Sequence, residues 1–147
     1  MKQNGLALYL VEADKHRAMY LAELDELRQD LLDDNFRSRD YRAVERLLQI
    51  FTELCVGLSK HWLKTIVRES AGQAYQTFSL LREHNQISAD ELSNWRKIIG
   101  MRNGLVHDYL TIDLTVLENV IRKGHYSQLS DFSQRAIIHL KKHEACT

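Results

Sequence analysis

Arg102, Asn103, His107 and Tyr109 fall within one short stretch of the chain. An imidazole titrates near neutral pH, so it can both take and give a proton under ordinary conditions. A guanidinium is a permanent planar cation whose N–H donors match phosphoryl oxygens two at a time. A carboxamide and a phenol add hydrogen bonds. The set fits displacement at a phosphodiester, with Arg102 and His107 as the catalytic candidates. The arginine would hold the charge that builds on the phosphoryl oxygens. Asn103 and Tyr109 are auxiliary candidates, for holding a phosphate, orienting the imidazole or stacking on a base. This chemistry calls for no metal and no cofactor. His139 and His143 are spaced i,i+4, but no carboxylate or cysteine accompanies them as a zinc set would require.

These residues need an element to hold them. Ser88-Ala-Asp-Glu91 reads as a capping box, the serine oxygen taking the N3 amide while Glu91 reaches back. From there the apolar positions Leu92, Trp95 and Ile99 continue as Arg102, Val106 and Tyr109 in steps of four and three, which predicts a helix through Tyr109. An ion on such a seam costs several kcal/mol unless it is paired or wet, roughly that size after relaxation. Arg102 is therefore expected to line a cleft or a subunit interface. Arg102 and His107 stand about 140° apart on an ideal helix. Three things bring them together: the long arginine stem, a loosened turn at Gly104, or a second copy of the helix across a two-fold axis. Each residue also has a bland reading. His107 would bond its own last carbonyls, Arg102 would pair with Glu53 or Asp108, and Tyr109 would be a core residue with a wet hydroxyl.

The stretch Met101-Arg-Asn-Gly-Leu-Val-His-Asp-Tyr, with Ala43-Val-Glu-Arg-Leu-Leu-Gln-Ile upstream, resembles the HepT branch of the HEPN superfamily, from about Leu6 to Leu140. That resemblance implies a HEPN-like, dimer-forming helical bundle with a composite cleft between protomers. It also implies a metal-independent endoribonuclease toxin, paired with a minimal nucleotidyltransferase antitoxin of the MntA type. On the same ground, Tyr109 becomes the acceptor of AMP transferred by that partner. The chemistry above then becomes RNA cleavage by the neighbouring 2′-hydroxyl. The alternative is a non-catalytic helical subunit that binds substrate for a nucleotidyltransferase. RNA cleavage by the purified chain separates the two.

Composition sets the frame. The 147 residues contain no proline and six glycines, so long helices can run unbroken and a sandwich or barrel lacks its turn residues. The expectation is an all-α bundle of five to six helices, one domain over residues 1–147. No apolar run approaches the ~18 residues of a membrane span. The opening residues lack the layout of a secretory leader. Cys55 lies in an apolar stripe and Cys146 beside the terminus, which suits a reduced, cytoplasmic protein. With a formal net charge of zero, nucleic-acid binding must come from local patches.

In chain order, a first helix is expected from about Leu6 to Asp33, capped by Asn4 and carrying Leu10, Leu21, Leu24, Leu27 and Leu31 inward. Its end is the acidic cluster Asp30, Asp33, Asp34, a solvated terminus or a surface for a basic partner. Ser38 and Asp40 open the central helix, expected over 41–69, with Val44, Leu47, Leu48, Phe51, Leu54, Cys55, Leu58 and Trp62 inward and Gly72 as the stop. Arg39, Arg42 and Arg46 lie along its first turns. Lys60, Lys64 and Arg68 form a basic stripe near its end, for RNA or for compensating the helix dipole. A short helix from Ala74 to His84 and a turn at Asn85 lead to the motif helix. Beyond Tyr109, Thr111 and Asp113 open a helix with Leu114, Leu117, Val120 and Ile121 inward. Gly124 interrupts it, and the last helix runs to about His143 with Leu129, Phe132, Ala136 and Leu140 inward. His16, His61, His84 and His125 are expected at the surface.

Overall fold

The computed structural model describes the backbone of residues 2–68, 72–107 and 114–146, and side chains over 5–68, 72–104 and 114–146. The described residues form six helices: α1 (Lys2–Leu32), α2 (Ser38–Lys64), α3 (Ala74–Glu83), α4 (Ala89–His107), α5 (Leu114–Arg122) and α6 (Ser127–Ala145). Among the described residues there is no strand. The α2 helix is the hub and packs on every other helix. Val44, Leu47, Leu48, Phe51, Cys55, Leu58 and Trp62 are buried at the expected spacing, joined by Val56 and Leu63, whereas Leu54 is only half-buried.

The core closes on four aromatic rings drawn from four helices. Phe78 of α3 stacks on Trp95 of α4 with centroids 4.1 Å apart. Phe132 of α6 meets Trp95 edge-on at 5.1 Å and Trp62 of α2 at 5.5 Å. Such contacts add about 0.5–1.5 kcal/mol each beyond the burial of area. Trp95 is fully buried, and its indole N–H donates to Glu91 Oε2 at 3.1 Å. The same oxygen lies 2.7 Å from Arg135 Nη2 of α6, so a buried donor, an acid and a cation tie α4 to α6. At the far side, Arg17 of α1 donates to the Ser130 carbonyl and hydroxyl of α6, and Tyr126 donates to Asp25 at 2.5 Å.

Helix ends account for most departures from the sequence reading. The first helix already includes Asn4, which is therefore no cap. It ends with Asp34 in the left-handed region (φ 57°), where Asp34 N–H bonds the Leu31 carbonyl at 3.2 Å and Asn35 N–H the Asp30 carbonyl at 2.8 Å. Asn85 (φ 60°) and Gly124 (φ 67°) end α3 and α5 through the same pair of backbone bonds. Asp and Asn tolerate that conformation better than other residues with a side chain. Of the acidic cluster, Asp30 thus lies in the last turn of α1 and Asp34 forms its stop. Asp40 does take part in starting α2, accepting from Arg37 N–H at 2.8 Å.

At its other end α2 stops at Lys64, well before Gly72. Thr65 donates to the Trp62 carbonyl at 2.7 Å and so satisfies one of the helix's last acceptors. With its one hydrogen spent there, the Thr65 oxygen accepts from His139 Nε2 at 2.9 Å. Arg68 falls in a bend beyond the helix. Leu114, expected inward on α5, is 49% exposed, while Leu117 and Ile121 are buried. Residues 111 and 113, expected to open α5, lie outside the described residues.

Phe51, with no exposed surface, should lose about 3–5 kcal/mol of stability on change to alanine, as buried large-to-small changes do. The half-buried Leu54 should lose about 1–2 kcal/mol, in proportion to the area it hides. Urea denaturation of the two variants measures the difference.

Candidate functional site

Three features aim the motif helix. Ser88 Oγ accepts the Glu91 N–H at 3.0 Å and sets the first turn, as the capping pattern predicts. The Glu91 carboxylate, expected to reach back to the cap, is engaged by Trp95 and Arg135. The ring stack then fixes the rotation of α4 about its axis, with Trp95 and Ile99 inward. Counting on from Ile99, the next seam position is Arg102, and it emerges at the rim of the core against α2.

There the Arg102 side chain is 21% exposed, with its Nε 2.9 Å from Glu53 Oε1 of α2. The Nε–H does not point at that oxygen, so Nε is buried without a directed hydrogen bond. This is an ion pair by distance only. Glu53 is 51% exposed, and a pair this wet contributes about 0–1 kcal/mol. The bland reading, in which Arg102 is kept for a salt bridge with Glu53, therefore finds its partner but little stabilisation. Asn103 Oδ1 accepts from Arg102 Nη1 at 3.0 Å. Among the described residues Nη2 of Arg102 has no partner.

The helix runs unbroken through Gly104 to His107, so a loosened turn at Gly104 is not what brings arginine and histidine together. The His107 side chain, Asp108 and Tyr109 lie outside the described residues. Glu53 is the site residue that motif reading leaves secondary. The signal for it was a lone acid on the exposed face of an otherwise basic helix row.

Lys60 and Lys64 are exposed on α2, one and about one and a half helical repeats of seven beyond Glu53. Arg68, past the helix end, does not continue their row. Two histidines depart from the surface reading or from the zinc question. His61 is half-buried against the Tyr9 ring (4.7 Å), and burial and then Lys64 hold its pKa below the usual value. His139 stacks on Trp62 at 4.8 Å and is likewise lowered, by burial and then by His143. Among the described residues no three His, Cys, Asp or Glu side chains are grouped as a metal site would need. Both cysteines are free, and burial pushes the Cys55 thiol well up. No described helix is long and apolar enough to cross a membrane.

Beside Arg102 on α4, Ile98 and Met101 line an open groove of about 520 Å³ with Leu48, Val116 and Val120. Lys97 and His125 stand at its edge.

Against this geometry, three comparisons can be set. The sequence matches the family described as Ribonuclease HepT-like over residues 18–136. It is similar to an mRNA nuclease HepT of Shewanella oneidensis, at 30% identity over 59% of this chain and 62% of that protein. It is also similar to a tRNA nuclease HepT of Aphanizomenon flos-aquae, at 27% identity over 64% of this chain and 65% of the relative. The matched region thus spans a little under two thirds of each relative. In three dimensions the chain resembles a chain from the crystal structure of a toxin-antitoxin with AMP-PNP, with a TM-score of 0.75 and 20% identity, over 87% of this chain and 96% of that one. That likeness is one of fold.

An added Cβ at Gly104 meets nothing within 4 Å. Gly104→Ala should therefore stabilise the chain by up to about 1 kcal/mol, the helix propensity difference. Thermal unfolding of the variant checks that the site stands on regular helix.

Proposed function

The chain belongs to the Ribonuclease HepT-like family, and on that premise we propose that it is the toxin of a toxin–antitoxin pair, a metal-independent endoribonuclease acting in the cytoplasm. The observation that carries this reading is Arg102. A guanidinium is held at the rim of the core by a contact too wet to stabilise much, with Nη2 uncommitted among the described residues. Arg102 is the clamp on the non-bridging oxygens as the phosphorane forms. His107 takes the 2′-hydroxyl proton, and an imidazolium returns a proton to the departing 5′-oxygen. Asn103 holds the Arg102 fork through Oδ1 and offers its amide to the phosphate. Products are a 2′,3′-cyclic phosphate and a 5′-hydroxyl.

The proposed assembly is a homodimer, which would bring two motif helices over one cleft and supply the geometry that a single regular helix does not. The apolar groove beside Met101 and the exposed Leu114 and Val116 support an interface on the α4–α5 side. The proposed partner is a minimal nucleotidyltransferase, supported by the toxin-antitoxin of shared fold that was crystallised with AMP-PNP. It silences the toxin by joining AMP from ATP to the Tyr109 oxygen, with pyrophosphate leaving. The added phosphate then occupies the cationic cleft as a tethered product mimic. The Glu53 contact is the one observation that favours the alternative, a non-catalytic subunit with Arg102 as a structural residue.

His107→Ala and Arg102→Ala should each slow RNA cleavage by on the order of 100-fold or more, with EDTA without effect. Full activity in either variant removes that residue from the mechanism, and no cleavage by the unaltered chain leaves only the binding subunit.

Mass spectrometry after incubation with partner, ATP and magnesium should show AMP on Tyr109 and inactivation that outlasts removal of the partner. A Tyr109→Phe chain that is neutralised equally well, with no mass change, would mean that the partner works by covering the cleft.

A further inference from the structure

One exposed face of α2 is lined by Arg39, Arg42, Arg46, Glu53, Lys60 and Lys64, in steps of three, four and seven. At 1.5 Å per residue the row is roughly 37 Å long. Its one acid, Glu53, is the residue whose charge Arg102 offsets at 2.9 Å. None of the five cations is in an ion pair among the described residues. The acids of α1 nearest the row, Glu23, Glu26 and Asp30, share a shallow groove with Arg46 and make no ion pair with it. A chain of zero net charge thus gathers unpaired positive charge on one helix face, with Arg102 landing in its middle.

Helix electrostatics accounts for only two of the five cations. Lys60 and Lys64 sit near the negative end of the α2 dipole, where cations are stabilising. Arg39 and Arg42 sit in the first turns, at the positive end, where cations cost stability by the same rule. Arg46 finds only a long hydrogen bond to Gln49, 3.5 Å. Arginines placed against the dipole, unpaired and in register with Arg102, suit an anionic ligand longer than a single phosphate.

We infer that this face of α2 is a track for the phosphate backbone of single-stranded RNA. The strand passes Arg102 with Lys60 and Lys64 on one side and Arg39, Arg42 and Arg46 on the other. The inference rests on the ribonuclease reading for its ligand and deepens it by giving the strand a direction across the site. Binding is by backbone charge and is therefore sequence-tolerant and salt-dependent.

The test uses the full chain and a fully 2′-O-methylated RNA oligonucleotide, which lacks the attacking hydroxyl and stays intact. Fluorescence anisotropy is followed across a potassium chloride series. One variant carries Arg39→Ala, Arg42→Ala and Arg46→Ala. Its control carries Lys15→Ala, Lys123→Ala and Lys141→Ala, the same loss of charge away from α2. Each lost phosphate contact takes about 0.7 from the slope of log affinity against log salt, so the arginine variant should lose about 2 and bind about tenfold more weakly or worse. The control should stay near the unaltered chain. With cleavable RNA the arginine variant should show a raised KM and an unchanged kcat.

Equal weakening in both variants would reduce the effect to net charge and overturn the track. Unchanged RNA binding in the arginine variant, with loss of binding to the antitoxin, would make this face a protein-docking surface and overturn it too. An unaltered chain that binds the methylated RNA through this row and cuts no RNA supports the track while ending the ribonuclease reading.

Discussion

The position of the site depends on how Trp95 is held. Its ring is fully buried between Phe78 and Phe132, and its one polar atom is satisfied by Glu91 one turn earlier. Glu91 is in turn held by Arg135, whose guanidinium lies 5.7 Å above the centre of the Phe132 ring. An indole N–H left alone in that core would cost about 1–3 kcal/mol. The network therefore selects a single rotation of α4 about its axis. Once that rotation is fixed, helical geometry alone carries Arg102 to the rim against α2, two turns further on. The aromatic core and the candidate chemistry are two stretches of one helix.

Arg102 itself shows what the fold gives up at the site. A leucine at that seam position would bury more apolar surface and need no partner. The arginine instead takes a half-exposed carboxylate at a distance that gives Coulombic attraction without a directed hydrogen bond. A local rule of good packing is broken with no evident gain in stability, the pattern expected where function sets the residue. The α2 helix supports the same view, since its exposed face carries cations at both ends while its inner face follows the apolar period, with only the small buried Thr52 and Ser59 among the apolar residues.

Much of this was legible in the sequence, because period and polarity are local properties. The absence of proline and the three-four spacing predict an all-helical chain, and the inward residues of α2 and α6 follow directly. Ser88 marks the start of α4 because a cap is local chemistry. Misreadings occur where an end is decided by something distant. The α2 helix stops at Lys64, where Thr65 bonds the Trp62 carbonyl and meets His139 over seventy positions away, and no pattern near Gly72 reveals that. Glu91 follows the capping-box spelling yet is claimed by Arg135. His61 looks like a surface residue until the Tyr9 ring covers it. For the site, the sequence picks out Arg102 and Asn103 by type and spacing. The role of Glu53 needs the packing of α4 on α2 before it can be seen among other candidate partners.

The left-handed caps at Asp34, Asn85 and Gly124 have a consequence in time. They reverse the chain with ordinary peptide bonds, in a sequence that contains no proline at all. Prolyl isomerisation, which holds many chains back for tens of seconds, is therefore absent from the folding of this one. Helical chains rich in local contacts are also among the faster architectures to assemble. A newly made copy thus reaches its helical bundle without that built-in delay.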